Sequence, residues 1–254
     1  MKYGKLLTKG KSLMLAYDHG LEHGPSDFND KTVDPSYIMD IANKGKYNAI
    51  IFQKGIAEKY YQGKTPLVIK LNGKTKYLKG EPVSRQLCSV KEAISLGAKA
   101  VGYTIYVGSK HEQTMFQEFE NIQREAHKHN IPVIAWMYPR GKAIKNELSK
   151  DTLAYAARIG LELGADMIKI KYNGKAKDLQ WVAKNAGKAK VLIAGGSKTT
   201  PYQFLKEAHD VVNNGAIGLA VGRNVWQSKD PITITKALKQ VVFQGVSPKE
   251  ALKK

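Results

Sequence analysis

Eight short apolar runs recur along this chain, most of them separated by stretches with helical periodicity. That alternation narrows the fold more than any single motif. The runs fall at 13–17, 48–52, 66–71, 99–108, 132–138, 167–172, 190–196 and 217–222. Those beginning at 13, 48, 66, 132, 190 and 217 are continuously apolar, the pattern of parallel strands covered on both faces. Helical stretches fall at 36–44, 89–97, 110–129, 149–164, 177–186, 201–215 and from about 231, with Gly97 and Gly164 as stops and Pro201 near a start. Eight β/α units in 254 residues is the arithmetic of an α/β fold built as a (β/α)8 TIM barrel. An open doubly wound sheet fits less well, because no G-x-G-x-x-G follows the first strand. No linker or composition shift interrupts the pattern, so a single barrel domain over 1–254 is expected.

Composition removes several function classes. The single cysteine, Cys88, excludes an internal disulfide and reads as a core residue. The formal charge is +19, from 36 Lys and five Arg against 22 acidic residues, and the lysines run from Lys2 to Lys254 without a block. Nucleic-acid readers concentrate charge on one face and favour Arg, so no specific nucleic-acid partner is expected. A dispersed lysine excess reads as a solvated surface that also attracts anionic metabolites. The longest N-terminal apolar run, LMLAY, is too short for a signal peptide, and nothing approaches the ~20 apolar residues of a membrane span. A soluble, cytoplasmic protein is expected.

Barrel enzymes build their active sites at the C-terminal ends of the strands. The strand exits here carry Asp18-His19, Gln53-Lys54, Lys70, Tyr103 and Tyr106, Trp136 to Arg140, Lys169 and Lys171, Gly195 to Thr199, and Gly222-Arg223-Asn224. In MIKIKY, Met167, Lys169 and Lys171 share one strand face and Ile168 and Ile170 the other. If the lysines face the barrel axis, desolvation lowers the pKa of Lys169 and makes it a nucleophile for carbonyls. The alternative is a pair of edge-strand surface lysines. Lys171, nearer the rim, suits electrostatic work. Tyr138 and Asp18 are candidate acid–base groups, and cationic neighbours are expected to lower the phenol pKa of Tyr138 from about 10. Gly195, Gly196, Ser197, Gly222 and Arg223 at the last two exits read as a phosphate site, with a short helix expected at 224–228. Asp18, His19, Glu22 and His23 invite a metal reading. However, Gly20, Gly24 and Pro25 argue against a regular helix that puts both histidines on one face, and no bound metal is expected.

Several segments together resemble a known family. AYDHGLEHGPSDF (16–28), WMYPRG (136–141), the run 146–174, GGSKT (195–199) and GLAVGRNVWQ (218–227) are similar, in order and from about 12 to 240, to the archaeal-type class I fructose-1,6-bisphosphate aldolases, a DhnA-type family. The resemblance implies reversible cleavage of fructose 1,6-bisphosphate to dihydroxyacetone phosphate and glyceraldehyde 3-phosphate in glycolysis and gluconeogenesis. It implies no cofactor and no metal, only a covalent Schiff base on Lys169, with Tyr138 as acid–base and Asp18 as the first-strand aspartate. It places phosphate contacts at Gly196, Gly222 and Arg223, and leaves Lys171, Arg140 or Lys54 for the second phosphate, beside Trp136 as a further substrate contact. It also implies a homo-oligomer, a decamer of paired pentamers. Ser197 departs from the proline common at that position in the family. A sister group shares the lysine, tyrosine and aspartate and makes 2-amino-3,7-dideoxy-D-threo-hept-6-ulosonate for aromatic amino-acid biosynthesis. A silent sugar-phosphate-binding barrel and a nucleic-acid-binding protein are the non-enzymatic alternatives.

Overall fold

The structure, a computed structural model, describes residues 3–253, so residues 1, 2 and 254 of the expected 1–254 domain lie outside the described residues. Eight strands run β1 Ser12–Ala16, β2 Ala49–Phe52, β3 Leu67–Lys70, β4 Ala98–Val107, β5 Val133–Pro139, β6 Met167–Ile170, β7 Lys190–Ala194 and β8 Gly218–Val221. They close into one barrel in chain order, every neighbour parallel, with β8 pairing back onto β1. The expected (β/α)8 TIM barrel is what the chain forms.

Period-two alternation assigns the two strand faces. Met14, Ala49, Val68, Ala100, Ile134, Met167 and Leu192 point into the lumen, and Leu6 from the N-terminal turn Gly4–Leu6 joins them. The intervening residues, Leu13, Ile50, Ile69, Val101, Ile168 and Ile170 among them, pack against the surrounding helices. The helices carry matching stripes. Glu112–Lys128 buries Met115, Phe119, Ile122 and Ala126, and Pro201–Asn213 buries Phe204, Leu205, Ala208 and Val211. Side-chain caps start several of them: Ser149 accepts from Thr152 N, Thr200 from Gln203 N, and Asp230 from Ile232 N and Thr233 N. Cys88 is buried, as expected. No helix among the described residues is long and apolar enough to cross a membrane.

Three features depart from the sequence reading. A helix, Lys54–Tyr60, follows β2, where only a connection is expected. An antiparallel pair, Asn72–Gly73 with Arg85–Gln86, leaves the end of β3. And His19–His23 does form one helical turn, which brings the two imidazole rings to 5.5 Å. Gly24 (φ 73°) and Pro25 end that turn rather than prevent it. Behind it Tyr17 packs against Phe28, Phe52 and Trp226, and Trp226 Nε1 donates to Ala16 O at 3.1 Å. This ties the short helix Arg223–Trp226, close to the expected 224–228, to the end of β1.

One close approach decides the shape of the lumen. The indole of Trp136, 1% exposed, abuts Gly102 on β4 with its six-membered ring, so a Cβ there would fall 1.7 Å from its Cζ3. Gly102→Ala is expected to cost about 1–3 kcal/mol of stability through overpacking and to displace the indole. Urea unfolding followed by tryptophan fluorescence reads both effects; unchanged stability with an unshifted emission spectrum is the contrary result.

Candidate active site

The strand exits surround one cavity of about 300 Å³. Asp18, Trp136, Tyr138, Arg140, Lys169, Lys171, Gly195, Gly196, Ser197, Gly222 and Arg223 all line it. The structure thus brings every residue of the expected constellation into one pocket, with the exception of Lys54. That side chain is 44% exposed and paired with Glu92 at 2.8 Å, away from the cavity lining. Lys54 therefore drops out as a ligand for the second phosphate. Of the other strand-exit residues, Gln53 donates to Asn72 O, and Tyr103 donates to Glu118 at 2.6 Å among the helix-facing core.

Lys169 is 6% exposed and stands beside Trp136 in the β5–β6 register, its amine 4.9 Å from the centre of the indole ring. This excludes the edge-strand alternative. Burial lowers its pKa to about 8, assisted by the Lys70 ammonium and opposed by Asp18 and Glu22. Lys70 is also buried, 2% exposed, but it is paired: its Nζ lies 3.4 Å from Asp18 Oδ2 and donates to Glu22 Oε1. These carboxylates outweigh burial and raise its pKa. Burial alone raises Asp18, but Lys70 and Lys169 hold its carboxyl well below the usual carboxylate range.

Tyr138 corrects an expectation. Its pKa is raised well above 10, first by burial and then by the Asp18 and Glu22 carboxylates. The nearby Arg140 guanidinium, 5.0 Å over the phenol ring, does not outweigh them. The resting group is a neutral phenol. At the rim, Glu147 gathers the two remaining cations, Lys171 Nζ at 2.5 Å and Arg140 Nε at 3.5 Å.

The last two strand exits form a cradle held by Asn224. Its amide nitrogen donates to Gly195 O at 2.8 Å and Ser197 O at 2.9 Å, and its oxygen accepts from Thr199 N at 2.8 Å. The loop's shape therefore does not depend on a proline at 197. Arg223 is steadied by Gly196 O at 3.3 Å and Asp27 at 3.4 Å, and Asp27 in turn holds His23 Nδ1 at 2.7 Å. The Arg223 Nε is buried without a hydrogen-bond partner among the described residues. Gly222 is needed because His19 lies against it: a Cβ there would fall 2.7 Å from the imidazole. A glycine-rich loop and a guanidinium only partly engaged, by Asp27 and Gly196 O, suit an anion.

Asn224, Asp27, Glu147 and Lys70 thus shape the site without a role in the sequence reading, and Glu22, which enters that reading only as a candidate metal ligand, does so by pairing with Lys70. Glu22 and Asp27 share the 16–28 segment with Asp18, but only the turn His19–His23 and the bend after it show what they reach. Among the described residues, no group of three or more His, Cys, Asp or Glu side chains is arranged around a cation position.

Known proteins resemble this chain in sequence and fold. Residues 12–228 match the DeoC/LacD family aldolase profile. A class 1 fructose-bisphosphate aldolase of Thermoproteus tenax is 53% identical over 247 residues, covering 96% of this chain and 94% of the relative. One of Halobacterium salinarum is 46% identical over 248 residues, covering 96% and 94%. A solved archaeal fructose-1,6-bisphosphate aldolase, with its catalytic lysine covalently bound to the carbinolamine intermediate of the substrate, superposes with a TM-score of 0.91 at 51% identity. The match covers 94% of this chain and 98% of that one.

His19 gives a pH-dependent test of the geometry. Burial pushes its imidazole from 6.5 down to about 4, with Lys169 and Arg223 adding to it against Asp18. The unfolded chain then takes up this proton near pH 6.5, while the native one resists until about 4. The His19 contribution to stability is intact above pH 6.5 and is lost as pH falls toward 4, up to about 3 kcal/mol. His19→Gln, which does not titrate, is expected to flatten the stability curve in that window. A curve identical to that of the parent protein is the contrary result.

Proposed function

The chain belongs to the DeoC/LacD family of aldolases, and we propose that it is a class I, Schiff-base lyase that reversibly cleaves fructose 1,6-bisphosphate to dihydroxyacetone phosphate and glyceraldehyde 3-phosphate. The observation that carries this reading is the buried, unpaired amine of Lys169 in the same cavity as the Asn224-held anion cradle. A pKa near 8 leaves roughly 300-fold more free amine at neutral pH than an ordinary lysine offers.

Lys169 attacks the substrate ketone, and loss of water leaves an iminium that serves as the electron sink. Cleavage transfers the C4 hydroxyl proton to the Tyr138 oxygen, breaks the C3–C4 bond and leaves an enamine on Lys169. The aldehyde departs, the enamine carbon takes up a proton, and water releases the ketone phosphate. In the condensation direction the neutral phenol of Tyr138 protonates the forming C4 alkoxide. Cleavage is the reverse and runs from the phenolate, which the neighbouring iminium favours. Asp18 takes the ketose hydroxyls or assists proton transfer during imine formation. Gly196, Gly222 and Arg223 hold the phosphate next to the ketone, and Arg140 and Lys171 are left for the other. Fixing both phosphates lets remote binding energy orient the reacting atoms.

No metal takes part in this scheme. The assembly is read as a homo-oligomer in the cytoplasm. Exposed Tyr155 and Trp181, on neighbouring helices Lys150–Glu162 and Ala176–Asn185, support an interface there.

Borohydride reduction in the presence of dihydroxyacetone phosphate is expected to leave a mass adduct on the Lys169 peptide. Tyr138→Phe is expected to keep that adduct while losing cleavage by at least about a hundredfold, the usual worth of a general acid–base group. Lys169→Ala is expected to lose both. No adduct from folded protein, or normal turnover by either variant, overturns the scheme. Excess chelator is expected to leave cleavage intact, and inhibition reversed by added divalent metal is the opposing result.

A further inference from the structure

Two lysines are buried in the lumen within the same constellation, yet only one is free. Lys70, at the end of β3, takes both carboxylates that reach this depth: Asp18 from the exit of β1 and Glu22 from the turn His19–His23. Lys169 makes no hydrogen bond or ion pair among the described residues and rests against the Trp136 ring. We propose that Lys70 and Glu22 are a positioning pair that decides which lysine is the nucleophile: by occupying Asp18 and Glu22, Lys70 keeps Lys169 without an anionic partner and so able to attack. The proposal rests on the reading of Lys169 as the imine-forming residue and goes further by saying why it is Lys169.

The charge arithmetic supports it. Asp18, Glu22 and Lys70 together carry a net −1. Were either carboxylate in contact with Lys169, the ammonium would be held as a buried ion pair, and breaking such a pair costs several kcal/mol. With Lys70 holding both carboxylates, the surplus negative charge stays close without capturing the Lys169 amine. It remains available when the iminium forms and a fixed cation appears on Lys169. Glu22 is a second anchor for Lys70, which is thus held by two ion pairs rather than one. The other charged or titratable groups facing Lys169 do not supply this balance. His19 is neutral beside Asp18, Tyr138 is a neutral phenol, and Arg223 is engaged by Asp27 and Gly196 across the pocket.

Such a pair leaves a signature that simple structural support does not. Removing Lys70 frees the carboxylates for Lys169, whereas removing the Glu22 charge subtracts a nearby anion. The two substitutions should therefore move Lys169 in opposite directions. The measurement is trace acetylation with acetic anhydride across the pH range in which lysines titrate. The Lys169 peptide is quantified by mass spectrometry against exposed lysines as internal references, with circular dichroism to confirm folding. Lys70→Met is expected to shift the Lys169 midpoint up by about one unit or more, and Glu22→Gln to shift it down by about one unit. The double variant is expected to fall between them. If Lys70→Met does not fold, the downward shift in Glu22→Gln still decides the matter. Unmoved midpoints, or shifts of the same sign in both variants, overturn the proposal. Acetylation needs no substrate, so the outcome is separate from that of the aldolase reading. Opposite shifts without a borohydride adduct would sink the reaction and keep the pair, and an intact adduct with unmoved midpoints would do the reverse.

Discussion

Burying ionisable side chains in the lumen of a barrel works against stability. Each ion taken from water costs several kcal/mol, which its partners repay only in part, and apolar replacements of similar volume are often as stable or more so. This chain nevertheless places Asp18, Lys70 and Lys169 in the upper lumen, with Glu22 closing over them. The lower lumen has no such groups: Met14, Ala49, Val68, Ala100 and Met167 fill it, and Leu6 joins them from the N-terminal turn. The barrel's stability comes from that half and from the helix-facing shell. The ionic half rests on it, and its side chains are positioned by strands whose register is fixed by the packing below.

The same division explains the cradle. A phosphate site needs backbone amides that point into the pocket and stay there before the ligand arrives. Here the loop after β7 is fastened by one buried side chain, Asn224, which uses both its donor and acceptor groups on backbone of the opposing exit. Trp226, one turn further on, is locked to Ala16 O. The exits of β1, β7 and β8 are therefore one mechanical unit. Asp18 leaves the same strand end that Trp226 grips, so the anion site and the ionic cluster are held in fixed relation.

Much of this was legible in the sequence because it depends on parity and spacing. Eight apolar runs with helices between them specify the barrel, and the alternation in MIKIKY puts Lys169 inward. Lys70, next to last in PLVIKL, is turned inward by the same alternation, but its role depends on Glu22, 48 residues distant, and on a helical turn that the glycines of 16–28 argue against. The sign of the Tyr138 shift is hidden from the sequence for a similar reason. Its sequence neighbour is a cation, Arg140, while the carboxylates that matter reach it across the lumen. The helix Lys54–Tyr60 and the small antiparallel pair after β3 are too short for periodicity to reveal.

Desolvation acts on Lys169 and Tyr138 in opposite directions on the pKa scale and toward the same chemical end. It disfavours the ammonium of one and the phenolate of the other, so about a tenth of Lys169 is free amine at pH 7 while Tyr138 rests as the neutral phenol. A neutral amine is what attacks a ketone, and a neutral phenol is what protonates an alkoxide. Asp18 and Glu22 raise both pKa values, which helps the phenol and hinders the amine. The Lys70 ammonium supplies the opposing push on Lys169, and by pairing with both carboxylates it keeps their help to Tyr138 from becoming capture of Lys169. A lumen with carboxylates and one lysine would bind that lysine as an ion pair. A second lysine turns the same carboxylates into a field that favours the phenol now and the iminium later.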